Sequence, residues 1–363
     1  MRTVDSDRFY AIAHKKNISS PFYTHFELTY RCNLNCVYCY CLGQGDKGKE
    51  LGIDEVKKIL DDLKRQGCLQ LTLSGGEPLV REDFLEIYAH AKKNGFLTSI
   101  FTNGQLFNKE IIKYLVKAPP HSIEITLNGI SESTYENITR VKGSFPRVIE
   151  NIKILAKNRL PIIIKTNLLK QNHKEIAKIK AWAESILGKP GHKHYFKYDP
   201  FIYPRLNGDT SPLKFRLSFK EILNAIKKDP DMLYEHQGEM CKDFSSLQKP
   251  RDHLYHCDSW MCQAFINPYG KLKFCLFSEK FSSDLKERTF EEGFYKFFPR
   301  VSEERFKTDF SCRDCGLRTI CHWCPAIAYL ETGDEEKPVL HYCRLARGTS
   351  RETYKARKEI IAS

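Results

Sequence analysis

Thr24-His25-Phe26-Glu27-Leu28-Thr29-Tyr30-Arg31-Cys32-Asn33-Leu34-Asn35-Cys36-Val37-Tyr38-Cys39 sets the frame for the chain. A short strand-like run, Thr24–Thr29, ends in a polar loop with three cysteines at C-x3-C-x2-C. Thiolates on one short loop can converge on an iron–sulfur cluster or on zinc. Three ligands is the informative number. A [4Fe–4S] cube held by three cysteines leaves one iron open for a small molecule. Zinc would need a fourth ligand, for which Cys41 is nearby. Buried free thiols are the third reading, and the polar flanks speak against it.

Downstream of this loop, short apolar runs alternate with amphipathic stretches up to about residue 205. The strand-like runs are Leu69–Leu73, Leu97–Phe101, Ser122–Leu127, Pro161–Thr166 and Lys193–Tyr198. Between them, apolar residues recur at i, i+3, i+4 spacing. These helix-like stretches are Asp54–Arg65, Arg81–Lys93, Lys109–Lys117, Arg147–Lys157 and Lys174–Ile186. Asn-Gly turns at 94–95, 103–104 and 128–129 punctuate them. Six βα-like units in a row imply parallel strands with helices outside, either a doubly wound sheet or a partial (β/α)6 TIM-like barrel. In both, ligands sit at the C-terminal ends of strands, where the candidate chemical residues fall.

The 363 residues, 14 of them cysteine, set further bounds. The cysteine fraction is well short of the roughly 8–10% of a disulfide scaffold. With 41% hydrophobic residues the chain can build a core, which excludes a disordered polymer. No run is long and apolar enough for a transmembrane helix, and the N-terminus lacks a secretory pattern. The expected setting is the reducing cytoplasm, with no membrane partner, where this many thiols point to metal. The net charge of +13 suggests an anionic partner or solvated surface lysines. The basic residues form no block, which disfavours nucleic acid.

Residues 1–23 read as an N-terminal extension, 24–205 as the βα domain and 206–256 as a linker or bridging region with one helix, Ser218–Lys228. Residues 257–345 read as a small cysteine-rich domain and 346–363 as a basic helical tail. In the cysteine-rich part, Cys257, Cys262, Cys275, Cys312, Cys315, Cys321, Cys324 and Cys343 make two sets of four. A hairpin with its turn at Asn267–Gly270 presents Cys275. Zinc ribbons fit the C-x2-C pairs as well as iron–sulfur clusters do.

The cysteine loop, with an aromatic residue before its last cysteine, resembles the signature of the radical S-adenosylmethionine (SAM) enzymes. The resemblance extends to Ser74-Gly75-Gly76-Glu77-Pro78 at the end of the second strand. In the family this stretch binds the SAM amino group: two glycines allow close backbone approach, and Glu77 can accept from an ammonium. By position, Thr102, Asn103, Thr126, Asn128 and Arg140 also match places near SAM, and Tyr38 belongs to the loop that faces it. The C-terminal cysteines are similar to the SPASM extension of peptide-modifying members. The resemblance implies one auxiliary [4Fe–4S] cluster on Cys257, Cys262, Cys275 and Cys324, and a second on Cys312, Cys315, Cys321 and Cys343. Cys321 to Cys324 is spaced x2, where the family pattern has x3.

The implied enzyme is an oxidoreductase with three [4Fe–4S] clusters. It cleaves SAM reductively to a 5′-deoxyadenosyl radical and takes a hydrogen atom from a peptide or protein. An external one-electron reductant of flavodoxin or ferredoxin type is implied, and the short stretch before the first strand suggests a separate leader-binding partner. Alternatives are a radical SAM enzyme acting on a small molecule and a non-catalytic metal-binding protein. A sulfatase-maturing enzyme is disfavoured, because Leu276 stands where that group has an aspartate. Asp199, Asp209 and Asp258 are candidate bases, each also readable as a turn or cap residue. Cys41, Cys68 and Cys241 are left without a cluster, with Cys68 expected in the core.

Overall fold

A computed structural model describes residues 19–44, 48–188, 195–227, 252–255, 257 and 259–362. Its centre is one nine-stranded sheet in the order β6-β5-β4-β3-β2-β1-β7-β8-β9. The first six strands are β1 (Tyr23–Thr29), β2 (Gln70–Gly75), β3 (Leu97–Thr102), β4 (Ser122–Thr126), β5 (Ile162–Asn167) and β6 (Phe196–Asp199). All five neighbouring pairs are parallel. This is the expected α/β architecture, a (β/α) partial barrel rather than a doubly wound sheet.

The alternation within each strand explains the layers. Phe26, Leu28, Leu71, Leu73, Ile100, Ile123, Ile125 and Ile164 are buried under the helices. The intervening positions of β1, β4 and β5 are polar: His25 and Glu27, Glu124 and Thr126, Lys165 and Asn167. One face is therefore an apolar floor for helices and the other a polar lumen. The floor meets α1 (Ile53–Arg65), α2 (Phe84–Lys93), α3 (Lys109–Lys117), α4 (Glu132–Thr139), α5 (Ser144–Lys157) and α6 (Ile176–Leu187). On α1 the four positions at helical spacing, Val56, Ile59, Leu60 and Leu63, are all buried. Each such side chain contributes about 1.5–3 kcal/mol relative to exposure.

Helix α4 is absent from the sequence reading, which passes from β4 directly to a helix beginning at Arg147. Its eight residues bury Tyr135, Ile138 and Thr139, it is capped by Ser131, and it ends at Arg140 in the left-handed region (φ 61°). Such a short element has too few turns for a periodic signal.

The expected boundary at residue 257 does not interrupt the sheet. Strand β7 (Gln263–Ile266) pairs parallel with β1, and β8 (Lys271–Lys273) and β9 (Ser282–Asp284) continue it antiparallel. The β7–β8 turn falls at Asn267–Gly270, where Gly270 has φ 84°. Within 206–256, residues 206–227 are packed rather than a free linker. Leu206 joins a cluster with Tyr30, Cys41 and Leu330, and α7 (Phe219–Ile226) starts on a Ser218–Glu221 capping box. Helices α8 (Phe298–Ser302), α9 (Pro325–Thr332) and α10 (Leu340–Ala362) complete the C-terminal part. No helix among the described residues is long and apolar enough to cross a membrane.

Candidate functional site

The cysteine loop leaves β1 and is fastened from four sides. Asn35 N donates to Thr139 O (2.9 Å) and Val37 N to Ile138 O (3.0 Å), both at the end of α4. Leu206 N donates to Tyr40 O (2.9 Å). Asn128 Nδ2, after β4, donates to Tyr38 OH at 2.5 Å. Tyr40 and Tyr30 hydroxyls donate to the two oxygens of Glu27 at 2.6 and 2.8 Å. Burial pushes the Glu27 carboxyl above its usual range, against the pull of Lys273 and the two tyrosines.

These anchors leave Cys32, Cys36 and Cys39 grouped at the C-terminal mouth of the lumen. Burial first, and the other two thiols second, push the Cys36 thiol well up. Burial is also the main reason that Cys32 rises to about 11. Cys39 alone is lowered, because Cys41 hydrogen-bonds to it at 3.5 Å between the sulfurs. With no counter-charge beside them among the described residues, burial keeps Cys32 and Cys36 as neutral thiols; a positively charged iron core would favour their thiolate forms. Among the described residues no three His, Cys, Asp or Glu side chains converge tightly enough for a single ion.

The Ser-Gly-Gly-Glu-Pro stretch packs against this loop. A Cβ on Gly75 would lie 2.1 Å from Thr29 O, and one on Gly76 would lie 2.5 Å from Arg31 O. The glycines therefore let β2 approach the backbone of the cysteine loop, with Gly76 N donating to Thr29 O at 2.7 Å. Ser74 Oγ is 2.5 Å from His25 Nε2. Pro78 opens a short helical turn. Glu77 is fully buried. Its oxygens accept from Thr102 Oγ1 (2.8 and 2.9 Å), Asn103 N (2.7 Å) and Leu79 N (3.1 Å). Burial raises its pKa to about 7 against these donors.

Glu77 thus holds the Thr102–Asn103 turn, and that turn reaches the cysteines. Asn103 Nδ2 donates to Asn33 Oδ1 (2.8 Å) and lies 3.6 Å from Cys32 Sγ. Asn128, 1% exposed, is likewise a bolt: besides Tyr38 it accepts from Asn167 N at 2.8 Å. Thr126 faces the lumen at the end of β4. Arg140 is exposed, its backbone beside the loop contact made by Thr139.

The lumen holds groups that the sequence reading passes over. Lys165 and Lys197 flank Glu124 at 3.1 and 2.9 Å, and Lys165 Nζ sits 3.8 Å from the centre of the Phe101 ring. His25, sealed among Phe101 and Phe265, is pushed down to about 3 by burial and Lys165. The signal was present as polar residues at every second strand position. Asp199 caps a turn by accepting from Phe201 N (2.8 Å), Asp209 does so with Ser211, and Asp258 lies outside the described residues.

The C-terminal thiols fall into groups. Cys312, Cys315, Cys321 and Cys343 line one cavity with Leu317, Arg318 and Trp323. Burial and then the three neighbouring thiols raise Cys312 to about 11. Cys257 and Cys275 both act on Cys324. Cys324 caps α9, its sulfur accepting from Ile327 N at 3.4 Å, but burial and the neighbouring thiols outweigh that donor and push its thiol well above the usual range. Cys262 differs: it is 1% exposed in the apolar core, and its rise comes from burial alone. Cys312, Cys315, Cys321 and Cys343 thus share one cavity, Cys257 and Cys275 lie near enough to Cys324 to act on it, and Cys262 is buried among apolar side chains. Cys68 is in the core, hydrogen-bonded to Thr24, and Cys241 lies outside the described residues.

Residues 26–183 match the family model of the Radical SAM superfamily. An AdoMet-dependent heme synthase of Methanosarcina barkeri is 28% identical over 355 residues, covering 90% of this chain and 97% of that protein. A PqqA peptide cyclase of Bradyrhizobium diazoefficiens is 32% identical over 153 residues, 42% of this chain and 40% of its own length. The fold is shared with Streptococcus suis SuiB bound to its precursor peptide SuiA. The TM-score is 0.67 at 18% identity, over 92% of this chain and 78% of that one.

Proposed function

With residues 26–183 a radical SAM domain and the chain a radical SAM enzyme, we propose that it takes a hydrogen atom from a substrate held at the mouth of the polar lumen. The observation that carries this is the loop thiol trio, Cys32, Cys36 and Cys39, fastened beside Gly75, Gly76 and Asn103. These three cysteines would hold a [4Fe–4S] cluster with one iron left to SAM. Such a cluster supplies the electron that cleaves SAM to methionine and the 5′-deoxyadenosyl radical.

The chain's own residues orient and shield. Asn103 donates toward Cys32, and Glu77 fixes that turn from within the core. Tyr38 and Asn128 fix the loop's distance from β4. Lys165, Lys197 and Glu124 give the lumen fixed charges with which to orient a polar substrate. The two C-terminal groups of thiols would hold auxiliary clusters, with Cys262 set apart from the other ligands by its apolar core surroundings. A one-electron donor of flavodoxin or ferredoxin type and a cytoplasmic setting belong to this reading.

For the substrate, a peptide is the first reading, supported by the fold shared with a peptide-bound enzyme and by the similarity to a peptide cyclase. A tetrapyrrole is the second, favoured by the similarity to a heme synthase along nearly the whole chain. The test is anaerobic incubation with SAM and dithionite. 5′-Deoxyadenosine should form, and its formation should vanish when Cys32, Cys36 and Cys39 are replaced by Ala. Persistence in that variant would refute the assignment. Mass loss in an added precursor peptide, or in an added carboxylated porphyrin, then separates the two substrate readings.

A further inference from the structure

A second cavity, of about 250 Å³, lies between the end of the cysteine loop and the β7–β8–β9 segment. Its wall includes Gln44, Tyr269, Lys271, Lys273, Ser278 and Glu279. The volume is far above the roughly 10–15 Å³ that one water needs. Its lining runs from Tyr30 and Gln44, at the two ends of the cysteine loop, to Lys273 and Ser278, which bracket Cys275.

Gln44 is 1% exposed, yet its Nε2 has no hydrogen-bond partner among the described residues. Its backbone is pinned: N donates to Cys41 O at 3.2 Å and Tyr269 OH donates to Gln44 O. The side chain is buried in the wall, and a buried amide donor without an acceptor is unfavourable. Lys271 and Lys273 bring two ammonium groups to the wall. Of their carboxylate partners, Glu279 belongs to the wall (2.5 Å from Lys273) and Asp284 does not (2.6 Å from Lys271). Lys273 also donates to Leu276 O at 2.5 Å, which fixes its head in place. Each ammonium is thus already paired with a carboxylate, so what the wall offers an anion beyond those pairs is the unpartnered Gln44 amide and the remaining N–H donors of the two lysines.

We propose that this cavity is a binding site for a carboxylate-bearing arm of the substrate, received by Gln44 Nε2 with Lys271 and Lys273 alongside. The inference rests on the radical SAM reading, because it supposes a substrate presented to the cysteine loop. A carboxylate is common to an acidic peptide and to a tetrapyrrole with acid side chains, so the experiment uses both.

The anaerobic holoenzyme is titrated with two pairs of probes. One pair is coproporphyrin III and its tetramethyl ester. The other is a fluorescein-labelled Ala-Glu-Ala-Glu-Ala peptide and its Gln counterpart. At least one acid should bind tenfold or more tighter than its neutral partner, and which acid does so identifies the source of the carboxylate. In Gln44→Leu the preference should fall below threefold. If that variant fails to retain its iron, Lys271→Met, at the solvent edge of the cavity, is judged by the same criterion. Equal binding within both pairs, or an undiminished preference in the variant, overturns the proposal and leaves a pocket of water. Wild-type 5′-deoxyadenosine formation is measured alongside. Its failure sinks the radical SAM reading, whereas its presence without carboxylate preference sinks only this site.

Discussion

Replacing Glu77 by Gln tests whether this carboxyl acts on the ligand directly or through the turn it holds. The side chain is fully buried and its oxygens accept from Thr102, Asn103 and Leu79. Its pKa rises from 4.5 to about 7, burial outweighing the donors. A carboxyl whose folded pKa is raised adds stability that is fully present below about 4.5 and lost as pH climbs through about 7. The shift corresponds to about 3 kcal/mol. At about 2 °C per kcal/mol for a long chain, that is roughly 6 °C in the apparent unfolding midpoint. Gln mimics the protonated carboxyl and does not titrate. The midpoint of Glu77→Gln minus that of wild type should therefore rise by about 5 °C from pH 5 to pH 8, part of the effect being spent already at pH 5. Both are scanned at one rate, because large chains commonly unfold irreversibly and the midpoint then depends on scan rate. A difference that stays flat with pH would refute the sealed environment. A flat difference only when SAM is present would instead mean that the ligand ammonium holds the carboxylate ionised, so that Glu77 touches SAM after all.

Other outcomes follow from the same geometry. Replacing Cys32, Cys36 and Cys39 together by Ala should abolish SAM cleavage while leaving iron on the C-terminal thiols, seen as residual electron paramagnetic resonance signals. Wild type should carry about 12 iron atoms per chain, whereas zinc without sulfide would remove the reading. Asn103→Ala removes a donor 3.6 Å from Cys32 Sγ and should lower the midpoint potential of the loop cluster, measured by redox titration; an unchanged potential would show that the contact does not tune it. His25 is held down to about 3, so activity should show no inflection near pH 6.5 from this group, and His25→Asn should leave the pH profile superimposable. Cys262→Ala should cost stability, by leaving a hole in the core, more than it costs auxiliary-cluster iron; loss of a whole cluster's iron would make Cys262 a ligand.

The order of strands and helices was legible because it depends on local periodicity. Val56, Ile59, Leu60 and Leu63 announce α1, and Ile123 and Ile125 announce a covered strand. Two things were not legible. Helix α4 carries only a weak repeat, yet its last residues, Ile138 and Thr139, hold the cysteine loop. The pairing of β7 with β1 joins residues more than two hundred positions apart, and no local pattern encodes it. The burial of Cys262 in the apolar core is a property of packing of the same kind, which cysteine spacing does not carry.

The same limit explains why the residues that resemble a SAM site are here so thoroughly occupied with one another. A motif records which residues a site needs and not which atom of each does the work. Gly75 and Gly76 are required because the backbone of Thr29 and Arg31 leaves no room for a Cβ. Ser74 is tied to His25, Thr102 to Glu77 and Asn128 to Tyr38. Side chains committed in this way cannot also turn toward a ligand without breaking a buried hydrogen bond, at about 1–3 kcal/mol each. Asn103 is itself committed to Asn33 and Glu77, so the groups left to meet an incoming molecule are the remaining backbone atoms of the Gly-Gly turn and the charged pairs of the lumen. Recognition at this mouth therefore belongs to a rigid frame. Substitutions that loosen Glu77 or Asn128 should weaken SAM binding without removing a single direct contact, and a conservative partner at either position should restore it.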